Sequence, residues 1–259
     1  MIAALRLYAT QVVLANRMAL ADRANFALQA GGMFINNAFM LVLWGLFFAG
    51  FKSVGGWRQG DMALLMGITM TVVGVSGVAF GGYRDMAATI LRGELDALLT
   101  QPKGLMGRLL ARECLATAWG DLIGGPLLLA GFARLSWGEA PLVVAGIAGG
   151  TVVYVSAGVC FASLAFWASG ARSFARDLTD FTLVFSTYPG SIYRGAVKAI
   201  AFSILPAGFV VMAPVRMVRD ASVETAAMVA GAAVLYAALA MALFHLGLSR
   251  YRRGASVAG

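Results

Sequence analysis

The sequence predicts an all-α integral membrane protein, and three observations carry that prediction. Of the 259 residues, 60% are hydrophobic and 12% charged, with a mean hydropathy of +0.81. Soluble domains carry about 25% charged residues, so composition alone argues for a bilayer. The length leaves room for about six helices of roughly 20 residues each plus their connections. Finally, one stretch between two long apolar runs is heavily charged. It is YRDMAATILRGELDALLTQPKG, residues 83–104, and it carries Arg84, Asp85, Arg92, Glu94, Asp96 and Lys103.

In that stretch Met86, Ile90, Leu91, Leu95, Leu98 and Leu99 recur at helical spacing, giving an apolar stripe opposite a charged face. Pro102 and Gly104 stop the helix, since proline cannot continue the hydrogen-bond ladder. Such a helix is too polar to cross a bilayer and too apolar to float free of one. It is expected to lie at the membrane surface and offer its charges outward. The plain alternative is an ordinary loop between two spans.

The chain begins with 1–29, where Arg6, Arg17, Asp22 and Arg23 punctuate Leu, Val and Ala. Ala19-Leu20-Ala21 resembles a signal-peptide cleavage site, but Asn16 and Arg17 break the apolar region, which favours an amphipathic interfacial helix. A first span is expected from about Ala30 to Phe51, with Asn36 and Asn37 facing a neighbouring helix or a pathway, because amides unpaired in lipid are costly. A second is expected from Met62 to Gly82. In it Gly77 and Gly81 make a small-xxx-small pair that allows close helix approach.

The third span is expected over Leu109–Phe132. Asp121 lies near its middle, where a carboxylate costs about 2.5–3.5 kcal/mol on insertion scales and must face protein or water. A substrate or ion contact and a structural hydrogen bond both fit. The fourth span is expected over Leu142–Ala168. A small charged loop with Arg172, Arg176, Asp177 and Asp180 follows, then a shorter apolar segment from Phe181 to Tyr188, ending at Pro189-Gly190. Residues 190–222 hold Pro206 and Pro214 among Arg194, Lys198, Arg216 and Arg219, which predicts an outer hairpin of two short helices broken at Pro206. The last span covers about Glu224–Leu246.

With the N-terminus inside, thirteen of the twenty Lys and Arg residues fall on the inner side, which places both termini and 83–104 in the cytoplasm. The +8 charge therefore reads as topology, not nucleic-acid binding. Cys114 and Cys160 lie in apolar segments and make no metal or disulfide motif. No GxxxxGK[ST] phosphate loop is present, one histidine (His245) excludes HExxH metal hydrolysis, and nothing around it resembles a nucleophile elbow. The chain thus reads as a non-enzyme with no cofactor or metal of its own.

This order of elements resembles the permease subunit of an ABC-2-type transporter over nearly the whole chain. ILRGELDALLTQPKG is similar to the family's segment between spans two and three, and FSTYPGSIYRGAVKAIAFSILPAGFVVMAPVRMV to the end of span five and the outer hairpin. Tyr188-Pro189 with Pro206 and Pro214 resembles a subgroup of proposed viologen-type exporters. The resemblance implies two permeases, alike or paralogous, above two separate ATPase subunits that bind ATP and Mg, in the inner membrane of a bacterium. It further implies ATPase coupling through Arg84, Asp85, Arg92, Glu94, Leu95, Asp96, Leu98 and Pro102, and an outer gate at Tyr188, Pro189, Pro206 and Pro214. A pathway would include Asn36, Asn37 and Asp121. Two further readings share this topology: a membrane scaffold or sensor subunit, and an ion-coupled secondary transporter using Asp121. Inverted internal repeats would favour the latter, and none is visible.

Overall fold

A computed structural model describes residues 2–51, 53, 56–101 and 104–255, and among these the chain is helical with no strand. Helix α1 (Ile2–Ala19) is followed by a tight turn, and α2 (Arg23–Gly50) begins where Asp22 accepts the Asn25 amide at 3.0 Å. The single helix expected over 1–29 is therefore interrupted after Ala19, because this N-cap starts α2 well before the apolar run. Helix α3 (Gln59–Ala79) is the centre of the molecule, with every residue from Asp61 to Val72 buried. It packs along α7 (Ala116–Phe132), and its other sides meet α8 (Ala140–Ser163) and the 208–220 arm described below.

The α3–α7 contact depends on small residues. A methyl at Gly74 would collide with the backbone of Leu122, so the two helices meet backbone to backbone. The expected third span is cut in two: α6 (Leu105–Leu110) ends at the charged Arg112-Glu113, and the Leu115 amide donates to the Gly77 carbonyl at 3.0 Å before α7 begins.

Among the described residues, four helical stretches are long and apolar enough to cross a membrane: Arg23–Gly50, Gln59–Ala79, Trp137–Phe166 and Val223–Arg253. The last lies in α12 (Val223–Ala255). The other two expected spans correspond to α7, with 17 residues, and α9 (Ala171–Ser186), with 16. Here the sequence reading of 172–180 as a loop is corrected: Arg172, Arg176, Asp177 and Asp180 form the first half of α9. Helix α9 is turned inside out relative to a soluble helix. Ala171, Ala175, Thr179, Thr182 and Ser186 face the protein, while Phe174, Phe181 and Val184 face outward. Leu178 and Leu183, beside the small inward residues, pack against the core.

Candidate functional site

The stretch expected as one amphipathic helix is two. After a short turn at Gly81–Tyr83, α4 (Met86–Leu91) and α5 (Leu95–Leu99) are separated at Gly93, whose φ of +72° is left-handed backbone that suits glycine. The apolar stripe also differs from expectation. Met86, Ile90 and Leu95 are buried in the protein's own core, with Leu98 and Leu99 packed against it, rather than resting on the bilayer. The fold offers this stripe a better partner than lipid, the underside of the α3–α8–α9 bundle.

The charged residues form a connected network. Arg84 donates to Asp180 of α9 at 2.6 Å. Asp85 accepts from Arg92 at 3.0 Å and faces Arg172 at 3.9 Å and Arg176 at 4.0 Å. Glu94 bridges the α4–α5 joint, taking Arg92 at 2.7 Å and Arg112 at 2.8 Å. The Arg112 guanidinium, and after it Arg92, hold the Glu94 carboxyl below its ordinary range. Arg108 closes the far end, donating to Gln101 at 2.6 Å and to the Leu98 carbonyl at 2.5 Å. Asp96 is exposed on α5, and Pro102 lies outside the described residues.

Helix α1 is clasped to the same end of the bundle. The Tyr8 hydroxyl donates to the Ala79 carbonyl at 2.7 Å, and Asn16 donates to the Val78 carbonyl at 3.2 Å while accepting from the Trp119 indole at 3.0 Å. Between α1 and α5 runs a groove of about 480 Å³ lined by Leu14, Met18, Leu98, Gln101 and Arg112.

At the opposite end, Tyr188 is exposed and Pro189 leads into a short turn, Gly190–Ile192. Helix α10 (Gly195–Ala201) forms the first arm of the 190–222 region. Pro206 starts the second arm, its carbonyl accepting the Phe209 and Val210 amides, a position where proline's missing N–H costs nothing. The arm opens into a π turn, Gly208–Met212, then continues as α11 (Ala213–Asp220). Pro214 explains the turn: it has no N–H for the Val210 carbonyl and its ring would strike that oxygen, so the Ala213 amide reaches back to Gly208. This arm is buried against α3, α8 and α12, so its irregular backbone is enclosed by protein. Arg219 closes it with an ion pair to Asp61, whose other oxygen caps α3 by accepting the Arg58 amide at 2.6 Å. Tyr236 of α12 holds the turn between the arms, donating to the Ser203 carbonyl at 2.6 Å.

Of the three polar residues expected to share a pathway, two meet. Asn37 of α2 donates to Asp121 of α7 at 2.7 Å, both buried, beside a cavity of about 180 Å³ lined by Phe34, Met70, Leu127 and Phe132. Asn36 is exposed and turned away from them. Sequence reasoning missed the partners of the charged segment: Arg112, Arg172, Arg176 and Asp180. The last three repeat at i, i+4 and i+8, so their common face was visible in the sequence once a helix was assigned.

The family model described as an ABC-2 family transporter protein matches residues 34–255. The match is to the family and names no subgroup. No curated protein and no solved structure matches the chain.

Proposed function

The chain belongs to the ABC-2 transporter family, and from that premise we propose that this multi-pass membrane permease serves an exporter driven by a separate ATPase subunit. The ATPase docks on 83–104 from the cytoplasm and supplies the bound ATP and Mg. The permease pairs with a second copy or a paralogue. In this reading α7 and α9 join the four long helices as the third and fifth of six spans, with both termini in the cytoplasm of a bacterium and 190–222 as the outer gate.

One observation carries the reading. The segment connecting α3 to α6–α7 is a compact, charged cap whose apolar side is anchored in the bundle, so a force applied to its outer face is delivered to the spans and not dissipated in a loop. Thirteen basic residues on the inner side against seven on the outer support the orientation. The test is purification together with the ATP-binding subunit of the same transporter. Stable association with ATP turnover in lipid, weakened by Glu94→Lys combined with Asp96→Lys while the permease still inserts, is the expected result. Failure of the wild-type permease to bind any such subunit overturns the reading.

A further inference from the structure

We propose that the pairing of Arg84-Asp85 with Asp180, Arg172 and Arg176 is a tether that makes α9 the helix moved by the ATPase, and that Arg84 and Asp180 are its positioning residues. The proposal rests on the reading of 83–104 as the ATPase docking segment.

Three observations carry it. The first is the number of links between the same two elements. Arg84–Asp180 at 2.6 Å, Asp85–Arg172 at 3.9 Å and Asp85–Arg176 at 4.0 Å all join the start of the docking segment to one face of α9. Asp85 is in turn held by Arg92, Arg92 by Glu94, and Glu94 by Arg112, so the segment answers a push as one body.

The second is the kind of contact that otherwise holds α9 against the bundle. Its buried inward face is small, Ala171, Ala175, Thr179, Thr182 and Ser186, and Leu178 and Leu183 beside it pack against the core by apolar contact. The three hydroxyls are spent on α9's own carbonyls: Thr179 on Ala175 at 2.8 Å, Thr182 on Leu178 at 2.9 Å and Ser186 on Thr182 at 2.8 Å. Across the interface there is a 3.5 Å contact from the Thr69 hydroxyl to the Ser186 carbonyl, but that hydroxyl already donates to Leu65 at 2.7 Å. A helix whose hydroxyls are satisfied internally and whose leucines make only non-directional apolar contacts can slide without breaking side-chain hydrogen bonds.

The third is where α9 leads. Its far end runs through Tyr188-Pro189 into the 190–222 arms, and Tyr193 folds back on it, donating to the Phe185 carbonyl at 3.0 Å with the two rings stacked at 5.2 Å. A displacement of α9 is therefore carried into the first arm.

A static brace would use the same ion pairs, so the test reads motion. The complex with its ATPase subunit is placed in lipid nanodiscs with Thr187→Cys as the labelling site in a Cys114→Ser, Cys160→Ala background. Maleimide labelling of the introduced thiol is measured without nucleotide and with ATP trapped by vanadate. The parent is expected to change its labelling rate on trapping. Asp180→Asn or Asp180→Arg should abolish that change while co-purification and ATP turnover persist, and Arg84→Asp with Asp180→Arg should restore it. A response that survives the single changes, or is not restored by the exchange, overturns the tether. Absence of ATPase binding in the parent overturns the docking reading instead.

Discussion

At the scale of single residues, one buried polar pair joins two helices. Asp121 and Asn37 make one hydrogen bond between α2 and α7. Such bonds between membrane helices average about 0.6 kcal/mol and reach ~1.7 kcal/mol. Asp121→Asn keeps an acceptor for the Asn37 amide and should leave thermal unfolding in detergent nearly unchanged, whereas Asp121→Leu should lose about that amount. If Asp121→Asn is the more damaging of the two, the carboxylate's charge matters and the bond does not. Gly74→Ala tests a different force. Its methyl has nowhere to go against the Leu122 backbone, and overpacking of this kind costs about 1–3 kcal/mol, which should appear as a lowered melting temperature. The sequence shows that an asparagine of the Asn36-Asn37 pair should face a partner. It does not show which, because neighbours on a helix point about 100° apart and only packing against α7 chooses between them.

At the scale of elements, the charged cap is where prediction and structure part most clearly. Its apolar spacing is real, and Met86, Ile90 and Leu95 are buried while Leu91 is exposed, but Gly93 turns one helix into two. Sequence periodicity passes over a single glycine because the stripe resumes in register beyond it. Gly93→Ala should cost about 1–2 kcal/mol of left-handed strain, read as lower stability, unless the α4–α5 joint straightens. The joint should also respond to acid. Its carboxyl Glu94 has a folded pKa lowered by Arg112, so its stabilising contribution is full above the ordinary carboxylate value of about 4.3 and is lost as pH falls through the lower folded value. Proteolysis at 92–96 that sets in only at such acid pH is the expected signature, and cleavage already at neutral pH would contradict it. The charges at 172–180 were read as a loop because charge in an apolar chain suggests a connection. In the fold the ion pairs to Arg84 and Asp85 allow them to be helical. The break at Pro206 was legible, since proline's missing N–H acts locally whatever surrounds it, whereas the π turn ahead of Pro214 was not.

At the scale of the whole molecule, class and family are written in composition, element order and two diffuse segments, while span lengths are not. The ends of α2, α7 and α9 are set by Asp22, by the Arg112–Leu115 break and by ion pairs, none of which hydropathy registers. The proposed orientation has a direct test. With Thr100→Cys or Ser136→Cys as the sole thiol, an impermeant maleimide added to intact cells should reach Ser136→Cys and spare Thr100→Cys, both sites being exposed in the fold. The opposite pattern inverts the topology. The inside-out polarity of α9 has one more consequence, for biogenesis. Four charges stand in its first ten residues and hydroxyls line the rest of its inward face. A nascent chain ending soon after Ser186 would thus present the insertion machinery with a segment too polar to partition into lipid by itself. In the proposed topology it would be retained beside α8 until the 208–220 arm and α12 are synthesised, so α9 should enter the bilayer late and cooperatively, and chains truncated before Val223 should leave it accessible to cytoplasmic proteases.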